Sequence, residues 1–190
     1  TTEIYTLSLH DALPICEIRD YETAEMAIRS SLTGHLVLST LHTNDAAGAV
    51  TRLTDMGVEP FLISSTMIAS MAQRLLRRIC ANCAAPAQPD ETVIREEFAA
   101  SAEDMRGGDF KKGSGCDLCR HTGYKGRLAI CEILPFTNEV KDLTVQRATS
   151  LDIKRLALKQ GMRTLRVSGW QRVCQGITTV EEVLRVTADA

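Results

Sequence analysis

The sequence predicts an α/β protein, and three patterns along the chain predict it. Between residues 17 and 79, helix-forming segments alternate with short apolar runs, which is the order of a wound α/β domain. Residues 80–127 contain four of the seven cysteines and a Gly-rich run, GGDFKKGSG. Residues 128–190 begin with an apolar strand-like run and then become helical. We therefore expect three zones: an α/β zone, a cysteine-rich module and a mostly helical region.

The first zone opens with a predicted helix. Residues Tyr21–Leu32 are rich in helix formers, and Gly34 is placed to end the helix. The run HLVLST that follows is apolar without alternation, which favours a strand covered on both faces in a parallel sheet.

Two further helices and a strand complete this zone. Asn44 or Asp45 can cap a helix that runs to Met56. Pro60 suits the first turn of the next helix, which we expect to run towards Ser70. The segment AQRLLRRI is then predicted to be a strand.

The other two zones carry fewer local signals. One short helix is predicted near residues 93–102, within the cysteine-rich zone. In the last zone, LAICEIL predicts a strand, and Asn138 and Ser150 are candidate helix caps. The string TTVEE contains two overlapping T-x-x-E capping boxes ahead of a last helix.

Length and composition restrict the function classes. The chain has 190 residues, of which 44% are hydrophobic and 24% charged, as in globular rather than disordered proteins. Its 22 Lys and Arg and 24 Asp and Glu give a net charge of -2, which supplies no bulk attraction to nucleic acid or anionic membrane. No apolar run approaches the roughly 18–20 residues that span a bilayer, and no secretory signal pattern is present. We expect no membrane-spanning segment.

The first fifteen residues, TTEIYTLSLHDALPI, resemble the translation of a common sequencing adapter. On that resemblance we expect residues 1–15 to lie outside the fold, and Cys16 to be a junction residue that stands where the gene encodes Gly. Residues 1–16 would then belong to no domain, and the chain would be a fragment of a protein that begins before Glu17. The alternative is a native amphipathic arm.

Four cysteines have the spacing of a metal site. Cys80-x2-Cys83 and Cys116-x2-Cys119 are two knuckles separated by 32 residues. Each pair can turn two sulfurs towards one point, and together they supply the four thiolates of a tetrahedral Zn²⁺ site. With no ligand position left for water, such a site is structural. Two disulfides are the alternative, and His121 could replace one cysteine as a ligand.

Basic residues flank this cysteine module, and two cysteines lie outside it. Four-cysteine modules with basic flanks sometimes bind nucleic acid, but few aromatic residues accompany these, so we favour solvated charge or subunit contacts. Cys131 and Cys174 lie in apolar surroundings and are predicted to be small buried hydrophobes. The basic residues are Arg74, Arg77, Arg78, Arg120, Lys125 and Arg127.

Polar residues gather at strand ends in the first zone. Glu17 is expected at the end of an apolar strand, at the edge where an α/β sheet binds ligands. His35 and His42 bracket the predicted strand HLVLST, so they cannot share one small pocket. His42 follows the strand's carboxyl end and is therefore the ligand-facing candidate, while a structural role is the alternative.

Five sequence blocks resemble one family. They are CEIRD with ETA shortly after it, TGHLVLSTLHTNDA, QRLLRRICANC, GCDLCRHTGYKGR and GITTVEEVLRVT. In this order they are similar to the type II secretion ATPases and the type IV pilus extension ATPases, with Cys16 where that family has Gly. The resemblance covers Glu17 to about Thr187.

The resemblance implies a fold, a site and a setting. The fold would be the C-terminal half of a RecA-like P-loop ATPase domain, with an inserted zinc module and a helical C-terminal region. Glu17 would be the Walker B carboxylate that supports Mg²⁺ and the attacking water. His42 would sense the γ-phosphate of ATP, and Glu17, His42 and Thr43 would be the nucleotide-binding residues. The four cysteines would hold Zn²⁺ in a module that the retraction ATPases of the same superfamily lack.

The same resemblance implies partners. The intact protein would be a homo-hexamer in the cytoplasm, peripheral at the inner membrane beneath secretion or pilus platform proteins, with no nucleic acid expected.

The sequence also departs from this family. It contains no G-x-x-x-x-G-K-[ST] motif and no Gly-Lys pair, so the phosphates have no cradle. The Asp box and arginine fingers are also missing, and Ala129 replaces a motif Gly. We therefore expect this chain alone to be inactive. The alternative function is a zinc-stapled module that binds proteins or nucleic acid without catalysis.

Overall fold

The computed structural model describes residues 12–98 and 107–188. Contacts divide the chain into two compact units, residues 1–70 with 134–160 and residues 71–133 with 161–190. This grouping differs from the three zones, because two long strands each run from one unit into the other. The three zones are predicted from local composition, which does not show which distant segments of the chain pack together.

The first unit contains a parallel strand pair. The strands β1 (Ala12–Glu17) and β2 (Leu36–Thr40) are joined through helix α1 (Tyr21–Leu32). Their register places Ala12 opposite Leu36 and Glu17 opposite Thr40. The predicted parallel pairing is confirmed. The remaining helices are α2 (Gly48–Asp55), α3 (Pro60–Thr66), α5 (Asn138–Val145) and α6 (Ser150–Lys159).

Two expectations about these strands are wrong. Residues 12–15 form most of β1, so the stretch up to Ile15 does not lie wholly outside the fold, although Leu13 remains 39% exposed. Residues 1–11 are not among the described residues. The strand β2 is not covered on both faces, since Leu38 is 57% exposed. In the part of the chain that the structure describes, β2 pairs with β1 alone, so one edge and much of one face stay open.

Helix caps lie one residue earlier than the sequence suggested. Thr137 and Thr149 have extended backbones, and their hydroxyls accept N–H donors of the first turns of α5 and α6. A cap needs this non-helical conformation. Asn138 and Ser150 are already the first helical residues, so they cannot fill that role.

The second unit is organised around a long strand pair. Strand β3 (Ala69–Ile79) pairs with β6 (Tyr124–Pro135). The N–H of Phe136 donates to Ile68, and that of Cys80 donates to Gly123, so the pair is antiparallel. The remaining elements are β4 (Ala84–Pro86), α4 (Glu91–Phe98), β5 (Lys111–Gly113), α7 (Leu165–Cys174) and α8 (Val180–Val186).

Close packing joins the helices of this unit. A Cβ added to Gly169 of α7 would lie 2.5 Å from a methyl of Val183 in α8, so only glycine permits this approach. The Trp170 ring lies 5.2 Å from Phe98 and 5.8 Å from Phe110, measured between centroids. These aromatic contacts tie α4 and the segment before β5 to α7.

A buried carboxylate fixes the last helix. The Thr179 hydroxyl caps α8 by accepting the Glu182 N–H, so the second T-x-x-E spacing marks the helix start correctly. The Glu182 carboxylate does not complete the predicted box. It accepts from the backbone N–H of Arg77 at 2.9 Å, from the Arg77 guanidinium at 2.7 Å and from Arg185 at 2.7 Å. The Tyr124 ring lies 4.3 Å beneath the Arg77 guanidinium.

These contacts control the ionisation of Glu182. Burial alone would raise the pKa of this carboxyl, but hydrogen bonds from Arg185 and Arg77 outweigh burial and lower its pKa to about 2. Because the folded pKa lies below the unfolded one, the ionised group stabilises the fold above about pH 4.5. That stabilisation disappears as the pH falls from about 4.5 towards 2.

We predict that Glu182→Gln lowers the free energy of unfolding by up to about 3 kcal/mol at pH 7, because the amide cannot pair with two guanidinium groups. Urea unfolding at several pH values measures this loss. The difference between the two proteins should shrink below about pH 4.5.

The matched control is Glu181→Gln, because Glu181 is the exposed neighbour on the same helix. It should change stability by less than about 0.5 kcal/mol. Equal losses in both variants, or a loss that does not depend on pH, would contradict the role given to Glu182.

Candidate functional site

The structure brings Glu17 and His42 together at the carboxyl edge of the β1–β2 pair. Glu17 is the last residue of β1, and His42 follows β2 by two residues. The imidazole Nε2 of His42 lies in contact with Oε1 of Glu17. Parallel strands end at the same edge, which explains why residues distant in sequence meet here. The side chain of Glu17 is 21% exposed, whereas that of His42 is 82% exposed.

Arg19 fixes the ionisation of Glu17. Its Nε donates to Oε2 of Glu17 at 2.7 Å. This hydrogen bond lowers the pKa of the Glu17 carboxyl below its ordinary value; desolvation opposes the shift, and the charges of Arg19 and His42 reinforce it. Glu17 is therefore an anion at neutral pH and can accept hydrogen bonds. Arg19 lies within the block CEIRD, but sequence analysis gave it no role.

His35 lies at the opposite end of β2. Its Nδ1 lies 3.1 Å from the Thr33 hydroxyl and 3.3 Å from the Ser30 carbonyl oxygen, at the end of α1. This confirms that the two histidines occupy different ends of the strand. The contacts of His35 join a helix end to a strand start, which is a structural role.

The loop 41–47 carries His42 and has its own hydrogen bonds. The hydroxyl of Thr43 donates to the Asp45 carbonyl oxygen at 3.1 Å. The N-cap position of α2 is Ala47 rather than the predicted Asn44 or Asp45. The Asp45 carboxylate still accepts the Gly48 N–H at 2.8 Å. It also accepts Lys154 at 2.9 Å, a contact that no local pattern indicated.

The four predicted cysteines form one cluster. The sulfurs of Cys80, Cys83, Cys116 and Cys119 all lie within 4.8 Å of one another. The Sγ–Sγ distances are 3.9 Å for Cys80–Cys116, 3.9 Å for Cys83–Cys119 and 3.7 Å for Cys116–Cys119. A tetrahedron with zinc–sulfur bonds of about 2.3 Å has edges of about 3.8 Å. The cluster therefore fits a tetrahedral metal ion.

Backbone donors surround these sulfurs. The N–H groups of Cys116 and Gly123 donate to the Cys119 sulfur at 3.2 and 3.3 Å. Burial would raise the pKa of Cys119, but these hydrogen bonds lower it to about 6. An Asn82 amide donates to the Cys116 sulfur at 3.4 Å. Donors of this kind stabilise thiolates, which are the form that binds metal.

Two alternatives for the cysteines find no support in this geometry. Sulfur separations of 3.7–3.9 Å exceed the roughly 2.05 Å of a disulfide, and all four cysteines are free thiols. His121 does not join the sulfur cluster. Its side chain is 75% exposed and pairs with Asp117 at 3.2 Å.

A small ladder brings the two knuckles together. Strands β4 and β5 are antiparallel and pair Ala84 with Gly113, so Cys83 and Cys116 flank the same end of the ladder. A Cβ on Gly113 would lie 2.1 Å from the Gly123 carbonyl oxygen, so this crossing requires glycine. The Gly-rich composition of the zone therefore has a steric cause.

Other predicted residues have different surroundings from those expected. Cys131 and Cys174 are half-buried rather than buried. Of the basic residues beside the cluster, Arg77 forms an ion pair with Glu182. The charge of Arg77 is therefore compensated within the chain, without a nucleic-acid ligand. Among the described residues, no helix combines the length and the apolar character needed to cross a membrane.

The chain matches one protein family over most of its length. A family model described as "Type II/IV secretion system protein" matches residues 10–185. The chain is 48% identical over 179 residues to the type IV pilus assembly ATPase PilB of Thermus thermophilus, covering 94% of this chain and 20% of that protein. It is 46% identical over 180 residues to the type II secretion system protein HxcR of Pseudomonas aeruginosa, covering 95% and 34% respectively. The chain thus spans between a fifth and about a third of these relatives.

Two solved structures share the fold. The pilus retraction motor PilT with bound ADP superimposes with a TM-score of 0.62 at 22% identity, over 94% of this chain and 40% of that one. The ATPase DotB of Legionella pneumophila gives 0.61 at 20% identity, over 95% and 39%. At these identities the likeness concerns the fold alone.

We predict that the four thiolates bind one divalent metal ion per chain. Titration of the reduced protein with Co²⁺ should give the visible absorption bands of a tetrahedral sulfur site at one equivalent. Cys116→Ser should weaken binding strongly and unfold the cysteine module locally, while amide exchange protection of β1 and β2 persists.

The matched control is Cys131→Ser, because Cys131 is a half-buried thiol outside the cluster. It should leave the Co²⁺ spectrum unchanged. A Cys116→Ser protein with the same spectrum and stoichiometry as the unmodified chain would contradict the site.

Proposed function

This chain belongs to the family of type II/IV secretion system proteins, and we propose that it forms part of a motor that hydrolyses ATP to power type II secretion or type IV pilus assembly. The observation that carries this proposal is the contact between Glu17 and His42 at the carboxyl edge of a parallel strand pair. Ligands of open α/β sheets bind at this edge. An anionic carboxylate beside an exposed imidazole supplies the polar groups that a phosphate and an attacking water need there.

Each residue has a proposed role. Bound Mg²⁺ and ATP would supply the phosphoryl group and neutralise its charge. The Glu17 carboxylate, held ionised by Arg19, accepts a hydrogen bond from water and orients it. His42 is exposed enough to leave Glu17 and donate to a terminal phosphate oxygen, so its position reports whether that phosphate is present. Thr43, in the same loop, is the third residue proposed to contact the nucleotide.

We place these residues in the C-terminal part of a RecA-like ATPase core, at 17–79. Residues 80–127 would be the zinc module and 128–190 the mostly helical region. The four sulfurs would hold a structural Zn²⁺, because no ligand position is left for water. The whole protein would be a homo-hexamer at the cytoplasmic face of the inner membrane, in contact with platform proteins and not with nucleic acid.

The residues of this chain supply one side of a nucleotide site. The motif G-x-x-x-x-G-K-[ST], whose backbone N–H groups and Lys hold the phosphates, does not occur in the sequence. Phosphoryl transfer depends on all these groups being positioned together. We therefore expect the isolated 190-residue chain to hydrolyse no ATP above background.

A chimera tests the assignment. We predict that residues 17–187 can replace the matching segment of the Thermus thermophilus relative, which is 48% identical, with retention of its ATPase activity. In that chimera Glu17→Gln should keep nucleotide binding but lower kcat by about 100-fold or more. His42→Ala should slow turnover without unfolding the protein. Steady-state phosphate release and binding of a fluorescent nucleotide measure the two effects separately.

The control is His35→Ala, at the other end of the same strand, which should leave kcat within about twofold. If Glu17→Gln leaves turnover unchanged in an active chimera, the catalytic assignment is wrong. An inactive chimera that also fails to bind nucleotide would instead favour the hypothesis of a zinc-stapled interaction module. A salt-dependent gel shift would identify its nucleic-acid-binding form, because phosphate contacts weaken steeply with salt.

A further inference from the structure

We propose that Lys154 of α6 and Asp45 form a positioning pair, which fixes the loop 41–47 and thereby the contact between His42 and Glu17. The consequence for turnover rests on the proposed function. The pair and its effect on the loop concern this chain alone and can be tested without any nucleotide.

Asp45 ties the loop at three points. Its Oδ1 accepts the Gly48 N–H at 2.8 Å, and its Oδ2 accepts the Lys154 ammonium at 2.9 Å. Its backbone carbonyl oxygen accepts the Thr43 hydroxyl at 3.1 Å. One residue therefore connects the residue after His42, the start of α2 and a helix more than one hundred residues further along the chain.

The pair is shielded from solvent. The side chains of Asp45 and Lys154 are 18% and 21% exposed, whereas those of Arg147 and Glu59, another ion pair in the same unit, are 59% and 60% exposed. Exposed pairs contribute little because water and salt screen them, and screening weakens with burial. The Asp45–Lys154 contact is therefore able to hold a preferred loop position.

His42 depends on that loop for its placement. Its side chain is 82% exposed, so little packing surrounds the imidazole, and its location follows the backbone of residues 41–47. The fit beneath the loop is close. A Cβ added to Gly48 would lie 3.1 Å from Oδ1 of Asp45, so the carboxylate lies directly against the first turn of α2. A shift of Asp45 would thus move the segment that carries His42.

The other end of the pair is a firm anchor. Ile153 and Ala157 of α6 are 0% and 2% exposed, so this helix is packed into its unit on either side of Lys154. The two partners are 109 residues apart in sequence. Lys154 therefore makes the position of the His42 loop depend on a helix of the last part of the chain.

The first test uses the 190-residue chain without nucleotide. Lys154→Met, which keeps the apolar stem but removes the charge, should shift the NMR signals of the His42 ring and of the His42 and Thr43 amides, and speed their exchange. Lys154→Arg should restore most of the original signals. Lys159→Met, on the exposed face of the same helix, should leave them unchanged. Unchanged His42 signals in Lys154→Met would overturn the proposal.

The second test measures turnover in the active chimera. Lys154→Met should lower kcat by about tenfold, because small errors of position are costly, while KM changes by less than about twofold. Asp45→Asn keeps an oxygen that can accept the Gly48 N–H but loses the charge, and should give a similar loss. The two losses should not add in the double variant, since they remove one interaction. Additive losses, or an unchanged kcat, would overturn the positioning role.

The two proposals fail in different ways. If the chimera's turnover does not depend on Glu17, the catalytic assignment fails. The His42 signals still decide whether Lys154 positions the loop.

Discussion

The parallel pairing of β1 with β2 determines where the chemistry of this chain lies. Parallel strands end at one edge, so the last residue of β1, Glu17, meets the loop that leaves β2. A shift of one residue in this register would turn Glu17 to the opposite face of the sheet and separate it from His42. The pairing thus sets where Glu17 lies and where the loop 41–47 leaves the sheet, and the loop then places the imidazole of His42.

The second unit relies on polar groups and a thiol cluster where its apolar content is low. The described residues of this segment, 80–98 and 107–127, include few large buried side chains, and the sulfur cluster with the β4–β5 ladder holds the segment in place. In the same unit, Glu182 lies buried between two arginines and joins β3 to α8. Both devices are directional, so each specifies one arrangement, whereas apolar burial would permit several.

Local patterns in the sequence predicted the features that local physics decides. Two Cys-x2-Cys knuckles must each turn two sulfurs to one side, so the sulfur cluster was predictable. The contact of Asp45 with the start of α2 is also local, through a bond three residues away, although the N-cap position is Ala47. Caps at Thr137 and Thr149 were missed by one residue because threonine, asparagine and serine are all good caps, and only the backbone conformation separates them. The exposure of β2 was missed because an apolar run does not reveal how many layers cover it.

Long-range charge pairs were beyond such patterns. The spacing T-x-x-E located the start of α8, but not the partner of Glu182, which lies 105 residues earlier at Arg77. Lys154 likewise reads as an ordinary helical lysine until the fold places it against Asp45. This difference has a functional meaning. An apolar contact in the place of Asp45–Lys154 would hold the loop without directional preference. The flexible Lys154 side chain, in contrast, can move away from Asp45 with little loss of packing. If His42 leaves Glu17 to contact a phosphate, as proposed, such a contact suits the loop, because its strength depends on a few tenths of an ångström at one point rather than on a whole packed surface.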